Sequence, residues 1–311
     1  MKKIFQNLKN GNISILDLPI PKPSDNEILV RTVYSLISTG TEKMLLEFGK
    51  SNFLNKAKKQ PERFKQVLTK LQTDGVLETV DSVFHKLNKP ISLGYCNVGY
   101  VIKVGKKVKD IKVGDKVVNN GNHAEYVTVS KNLCSKIPEN LNFKSAVFGI
   151  IGSIAMQGVR LSKPTIGEHF GVIGTGLIGI LTAQILEANG CEVTCFDYDE
   201  KRLDILKKMK FNTINLNSNS SLQQINNISN GFGLDGSIIC ASTTNEEPIS
   251  LSTLITRKKG RIVLVGVTDI KINRDEFYKK ELSFQVSCSY GPGRYDKNYE
   301  INGQDYPFSY V

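Results

Sequence analysis

The stretch Gly171-Val172-Ile173-Gly174-Thr175-Gly176-Leu177-Ile178-Gly179 decides how this chain folds. A lone Gly-x-Gly-x-x-Gly is weak evidence. Here it directly follows the apolar run Phe170–Ile173 and opens an apolar helical pattern over Leu177–Ala188, the context in which the spacing acquires meaning. Gly174 permits a tight turn, Gly176 leaves bare backbone against a pyrophosphate, and Gly179 lets helix and strand pack closely. The N–H groups from Thr175 through Leu177 and Ile178 then sit at a helix N-terminus, where partial positive charge favours phosphate. The stretch is read as a dinucleotide-binding turn.

Working outward, the next apolar run, Val193–Phe196, ends in Asp197. That is close to the separation of about 20 residues at which a carboxylate hydrogen-bonds the adenosine ribose hydroxyls. A carboxylate there repels a 2′-phosphate, so the expected cofactor is NAD(H). Lys201 and Arg202 follow, and they keep NADP(H) open as the second choice. Further strands are expected near His169–Ile173, Thr213–Leu216, Gly236–Cys240, Arg261–Val265 and Leu282–Ser287, with helical patterns between most of them. This alternation specifies an α/β fold with a parallel sheet and right-handed crossovers.

Upstream the chain changes character. Ile4-Phe5 and Ile13–Leu16 bracket the turn-like Lys9-Asn10-Gly11-Asn12, a hairpin signal, and Glu27–Tyr34 reads as another strand. Residues 43–90 carry apolar residues at three-to-four spacing and read as a helical insertion. β character returns at Gly99–Val104, Asp115–Val118 and Glu125–Val129, and Phe143–Arg160 reads as one helix leaving the first domain. The expected division is a β-rich domain over 1–150 and a nucleotide-binding domain over 151–311.

Composition narrows the functional classes. The 311 residues suit two domains. Lys and Arg outnumber Asp and Glu 41 to 30, giving a formal charge of +11. The basic residues are scattered and no nucleic-acid signature accompanies them, so no nucleic-acid partner is expected. The basic stretch Lys50–Lys70 reads as a solvated helix face. No apolar run reaches the ~18 residues of a membrane span, and no secretory signal is legible at the N-terminus; a cytoplasmic enzyme without membrane contact is expected. The six cysteines form no CxxC pair and read as structural filler.

Taken with these motifs, GYVIKVGKKVKDIKVGDKV (99–117), HAEYVTVSKNLCSKIPENL (123–141), the 171–203 segment and RKKGRIVLVGV (257–267) resemble the medium-chain dehydrogenase/reductases. That resemblance implies a GroES-like (chaperonin-10-like) catalytic domain followed by a Rossmann domain. STGTEKMLLEFGKSNFLNKAKKQPERFKQVL, TDGVLETVDSVFHKLNKPISLGYCNVGYV and KKELSFQVSCSYGPGRYDKNYEINGQDYP are similar to the dehydrogenase half of bacterial bi-domain oxidoreductases. This second likeness implies a C-terminal glucose–fructose-oxidoreductase-like half, missing or separate here. It also implies that the return to the catalytic domain lies beyond Val311.

Where zinc-dependent relatives carry ligands, this chain has Ser38-Thr39-Gly40-Thr41-Glu42, Gly94-Tyr95-Cys96 and Gly149–Gly152. Catalytic zinc needs three protein ligands, so no metal is expected. The resemblance instead makes Tyr95, Ser38, Thr39 and Glu42 the catalytic candidates, as hydrogen-bond donors to a reacting oxygen. It places backbone at Val265-Gly266-Val267 and at Ser287–Ser289 toward the nicotinamide, and Arg294 near a small-molecule substrate. His123 reads as structural, and His85 and His169 as lacking functional partners. The function implied is alcohol–carbonyl interconversion on a sugar or sugar-derived compound. Enone or quinone reduction and a truncated, non-catalytic nucleotide-binding fragment are the alternatives. A homodimer through the edge near Leu282–Ser287 is implied by resemblance alone.

Overall fold

The computed structural model describes residues 1–7, 10–50, 90–218, 221–291, 293 and 296–304. Arg294, His85 and the 51–89 part of the insertion lie outside the described residues. The chain divides into two compact units, Met1–Ile150 and Ile151–Val311.

The first unit contains β1 (Lys2–Gln6), β2 (Ile13–Asp17), β3 (Glu27–Ser35), α1 (Thr39–Lys50), β4 (Ile91–Ser92), β5 (Asn97–Val104), β6 (Lys116–Asn119), β7 (Tyr126–Ser130), β8 (Cys134–Lys136) and α2 (Phe143–Ala146). The hairpin signal is realised: β1 and β2 pair antiparallel with Ile4 opposite Ile15, and β4 adds to the other side of β1. A five-stranded antiparallel sheet runs β7-β3-β5-β6-β8. β3 lies inside it between β7 and β5, and its Ile28 and Val30 pack with Val101, Val117, Val127 and Val129. Each such side chain contributes about 1.5–3 kcal/mol on burial.

The single helix expected over 143–160 is two. Asn142 caps α2 by accepting from the Ser145 N–H at 2.9 Å. The chain then starts again at Gly149 as α3 (Gly149–Ser162). Four residues make a helix too short to continue, and Gly149 and Gly152 lower helix propensity where a longer one would have to run on.

The second unit adds β9 (His169–Ile173), α4 (Leu177–Ala188), β10 (Glu192–Asp197), α5 (Glu200–Lys208), β11 (Asn212–Asn215), α6 (Ser221–Ile228), β12 (Leu234–Ile239), α7 (Glu247–Ile255), β13 (Thr256–Leu264), α8 (Arg274–Lys280), β14 (Ser283–Val286) and α9 (Lys297–Glu300). All strand pairs are parallel, in the order β11-β10-β9-β12-β13-β14. Counted from β9 this is 3-2-1-4-5-6, the Rossmann arrangement, whose order reverses between the first and fourth strands.

Alternating side chains fill both faces of the sheet. Phe170, Val172, Cys195 and Ile238 belong to one buried cluster, and Ile173, Phe196, Ile239 and Leu264 to the other. The thiols are part of this packing. Burial pushes Cys195 and Cys240 up to about 12, which leaves neither as a thiolate at neutral pH. No helix among the described residues is long and apolar enough to cross a membrane.

Candidate functional site

The glycine turn joins β9 to α4, and each of its glycines answers to a physical constraint. Gly174 has φ +90°, and a Cβ there would lie 2.5 Å from the Ala241 amide nitrogen. Its own N–H donates to the Phe196 carbonyl at 2.8 Å, which ties the turn to the end of β10. Gly179 packs so closely that a Cβ would meet the Gly174 carbonyl oxygen at 2.0 Å. Gly176 differs, since a Cβ there would meet nothing within 4 Å. It is the N-cap of α4 and supplies no capping side chain, so the first-turn N–H groups of Leu177, Ile178 and Gly179 remain for an anion.

Asp197, at the tip of β10, is only 8% exposed. Its Oδ2 accepts from the Thr175 N–H at 2.7 Å and from the Thr175 hydroxyl at 2.8 Å, and its Oδ1 accepts from the Asp199 N–H at 3.0 Å. Arg202 stands 3.8 Å from Oδ2 and 3.5 Å from Asp199. Burial pushes the Asp197 carboxyl upward, but the two backbone N–H groups, the Thr175 hydroxyl and Arg202 outweigh it. The net position is below the usual carboxylate range. An ionised carboxylate has about four lone-pair sites. Three protein donors therefore leave one acceptor position, on Oδ1. Thr175 is fully buried, so its role is to hold Asp197 rather than to touch a ligand directly.

The third part of this sheet edge follows β12 and β13. A Cβ on Gly266 would lie 2.0 Å from the Ala241 carbonyl oxygen, so Ala241 is pinned between Gly174 and Gly266. The Val265 and Gly266 N–H groups both donate to the Ile239 carbonyl at 2.9 Å, and the Val267 N–H donates to the Ala241 carbonyl at 3.0 Å. Val267 itself is exposed. The structure thus gathers Gly174–Gly179, Asp197 and Val265–Val267 at the C-terminal edge of one parallel sheet, where ligands of such sheets bind.

The first unit holds a separate polar cluster. Ser38 precedes α1, and its N–H donates to Glu42 Oε1 at 2.9 Å, a carboxylate reaching back over a helix N-terminus. Glu42 Oε2 lies 3.0 Å from His123 Nε2, and His123 Nδ1 lies 2.8 Å from the Ser35 hydroxyl. Ser38, Glu42 and His123 are buried. Tyr95, half-buried, places its hydroxyl 3.3 Å from that of Thr41, while Thr39 is exposed.

The sequence reads His123 as structural and His169 as lacking functional partners; the structure gives both of them hydrogen-bond partners. His123, 81 residues from Glu42 in sequence, belongs to a buried hydrogen-bonded group that no local spacing announces. Gly94 packs against this imidazole so closely that a Cβ there would lie 2.7 Å from it. His169 has partners too: its Nε2 lies 2.8 Å from the Thr194 hydroxyl. It opens β9, however, so it sits at the amino edge of the sheet, opposite the candidate site. Burial lowers its pKa, against the opposing effects of Glu192 and Asp235.

Comparison with known proteins agrees with this architecture. The zinc-binding dehydrogenase family matches residues 178–301, and the alcohol dehydrogenase GroES-like domain family matches residues 65–156. Human sorbitol dehydrogenase is 24% identical over 291 residues, covering 83% of this chain and 72% of its own. The 2R,3R-butanediol dehydrogenase structure from Bacillus subtilis superposes with a TM-score of 0.72 at 18% identity, covering 94% of this chain and 85% of that one. A short chain alcohol dehydrogenase from Escherichia coli, complexed with NADH, gives 0.73 at 21% identity, covering 93% and 83%. The fold is a GroES-like domain joined to a Rossmann domain. The two family matches follow one another in the order of the two units, the GroES-like match first and the dehydrogenase match second.

Proposed function

We propose that this chain is an NAD(H)-dependent, zinc-independent oxidoreductase that interconverts an alcohol and a carbonyl on a sugar or polyol. The observation carrying the proposal is the glycine turn paired with Asp197, whose one remaining acceptor position suits a ribose hydroxyl. Backbone from Gly174 through Gly179 would hold the pyrophosphate, and Asp197 the adenosine ribose. Asp197 disfavours a 2′-phosphate, and Arg202 is already engaged by Asp197 and Asp199; both support NAD over NADP. Bound there, the nicotinamide supplies the hydride acceptor. The substrate class is supported by relatives named sorbitol dehydrogenase and D-xylulose reductase.

The donor chemistry does not fit a catalytic zinc. The resemblance puts hydroxyl residues, Ser38 and Tyr95, where thiolate and imidazole ligands would be needed. Both Glu42 oxygens are engaged, by Ser38 and His123. Among the described residues no group of three or more His, Cys, Asp or Glu is placed to hold a metal. The chain's own hydroxyls then carry the proton chemistry. Tyr95, with Thr41 as its hydrogen-bond neighbour, donates to the substrate oxygen, and the exposed Thr39 shapes the same polar surface, while the buried Ser38 ties the start of α1 to Glu42. Glu42 holds this segment in place through the helix start and His123.

The proposal extends to a cytoplasmic setting, supported by six free thiols. It also includes kinship with the dehydrogenase half of the bi-domain oxidoreductases, supported by the segments around Ser38–Met44 and Gly94–Val101, and a homodimer through β14, an edge strand of the sheet. The test is nicotinamide absorbance during incubation with sorbitol and butane-2,3-diol, using NAD and NADP in parallel, before and after chelation. Turnover with NAD that survives chelation is expected. Activity lost to chelator and restored by zinc would overturn zinc independence.

A further inference from the structure

His123 is bonded to both segments that carry the Tyr95–Thr41 hydroxyl pair. On the Tyr95 side its N–H donates to the Leu93 carbonyl at 2.8 Å, and its ring packs against Gly94. The neighbouring Asn122 adds a second tie, donating from Nδ2 to the Gly94 carbonyl at 2.7 Å. On the Thr41 side Nε2 of His123 lies 3.0 Å from Glu42 Oε2, and Thr41 directly precedes Glu42 in the first turn of α1. Nδ1 is engaged by the Ser35 hydroxyl at 2.8 Å. Both ring nitrogens are therefore taken by the chain, and the residue is buried. It is not placed to touch a substrate.

The loop bearing His123 is held from behind. Asn97 and Asn119 are both fully buried. Asn97 Nδ2 donates to the Thr32 hydroxyl at 2.9 Å and to the Asn122 carbonyl at 3.3 Å, and Asn119 Oδ1 accepts from the Gly121 N–H at 2.9 Å. By contrast, Tyr95 and Thr41 come from segments 54 residues apart, and their hydroxyls meet at 3.3 Å. Bonds between hydroxyl oxygens cluster at about 2.7–2.8 Å, so this contact is too long to hold two segments in register by itself. The links through His123, one of them to a carboxylate, are shorter and stronger, and they fix the separation.

We infer that His123 is a positioning residue for the Tyr95 hydroxyl: by tying Leu93 and Gly94 to Glu42, it sets the distance between Tyr95 and Thr41 and so the point at which Tyr95 meets the substrate oxygen. Displacing a reacting group by about 1 Å lowers a rate by up to the order of 10²-fold. This rests on Tyr95 acting as the donor, as proposed above.

NAD-dependent turnover of sorbitol and butane-2,3-diol by wild type, His123→Asn, Tyr95→Phe and the double variant, each below its unfolding midpoint, tests the assignment. His123→Gln is a fifth protein. The Asn amide reaches toward Ser35 but stops short of Glu42, whereas the longer Gln side chain restores a donor near the place of Nε2. His123→Asn is expected to lower kcat about 10- to 100-fold with KM and NADH affinity unchanged, and His123→Gln to recover most of that loss. With Tyr95 already Phe, His123→Asn is expected to change kcat by less than about twofold, since no hydroxyl is left to position. A residue that only stabilised the fold would lower kcat equally in both backgrounds. Such equal loss, or an unchanged kcat in His123→Asn, overturns the inference alone. A Tyr95→Phe protein as active as wild type, or a wild type inert toward both alcohols, overturns the donor reading and this inference with it.

Discussion

Replacing Asp197 by Asn isolates the carboxylate from the shape of its site. Three donors converge on it in the folded chain: the Thr175 N–H, the Thr175 hydroxyl and the Asp199 N–H. Hydrogen bonds to a charged acceptor are worth roughly 1.5–3 kcal/mol against 0.5–1.5 for a neutral one. Neutralising the acceptor therefore costs about 1 kcal/mol per donor, or roughly 3 kcal/mol in all. An amide NH₂ also cannot accept, so one carboxylate oxygen's donors lose their partner. Relief of burying a charge offsets part of this second loss. Against a typical total of about 5–15 kcal/mol, a deficit near 3 is large.

The assay is denaturant unfolding of wild type and Asp197→Asn without ligand, repeated down a pH series. The folded-state pKa of Asp197 is depressed, so its contribution is present above the unfolded-chain value near 3.9 and is lost as pH falls through the folded value. The gap between the two proteins should therefore be widest at neutral pH and close on acidification. Equal stability at pH 7, or a gap that persists in acid, would refute the reasoning. The same substitution removes the remaining ribose acceptor, so NADH affinity should fall about 10- to 100-fold while NADPH loses less.

Other consequences are open to measurement. Tyr95→Phe should lower kcat by about 10²–10³-fold with NADH affinity unchanged; a kcat near wild type would remove Tyr95 from the chemistry. His123→Ala leaves Glu42 buried without its imidazole partner and should cost about 3 kcal/mol in unfolding experiments. Gly174→Ala combines φ +90° with a 2.5 Å approach to Ala241, so it should destabilise the unit by at least about 2 kcal/mol as well as abolish cofactor binding. Asp115 and Asp235 are likewise held low, each against burial, by Lys112 and Lys136 and by His169 and Arg257. Acid unfolding should begin as pH falls below the ordinary carboxylate range, and Asp235→Asn should flatten its onset.

The Rossmann unit was legible in the sequence because its determinants are local. The apolar run before Gly174, the glycine spacing and the carboxylate after Phe196 all lie within one βαβ stretch, and period and turn chemistry specify them directly. Strand ends moved by a residue or more: Arg261–Val265 became Thr256–Leu264, since Thr256 pairs with Leu234 of β12 across a bulge that loops out the basic stretch 257–260. The helix break after Ala146 was invisible because Val147 and Phe148 keep the apolar rhythm across it.

The Ser35–His123–Glu42 group was not legible at all. Its members come from β3, from the start of α1 and from the approach to β7, and only the sheet brings them together. The exhaustion of Glu42 and Thr175 by internal hydrogen bonds is likewise a property of three dimensions. From residue type alone, both count as groups free to meet a ligand.

The central claim is that the turn from Gly174 to Gly179, backed by Asp197, seats a dinucleotide. Calorimetric titration of the full chain with NADH, alongside Gly176→Val, tests it most directly, because a Cβ at Gly176 would enter the space left for pyrophosphate and meet no protein atom within 4 Å. Saturable one-to-one binding by wild type, abolished in a Gly176→Val protein that unfolds at the wild-type temperature, is the predicted result. No heat and no thermal shift with wild type at saturating NADH, or equal binding by both proteins, would contradict it.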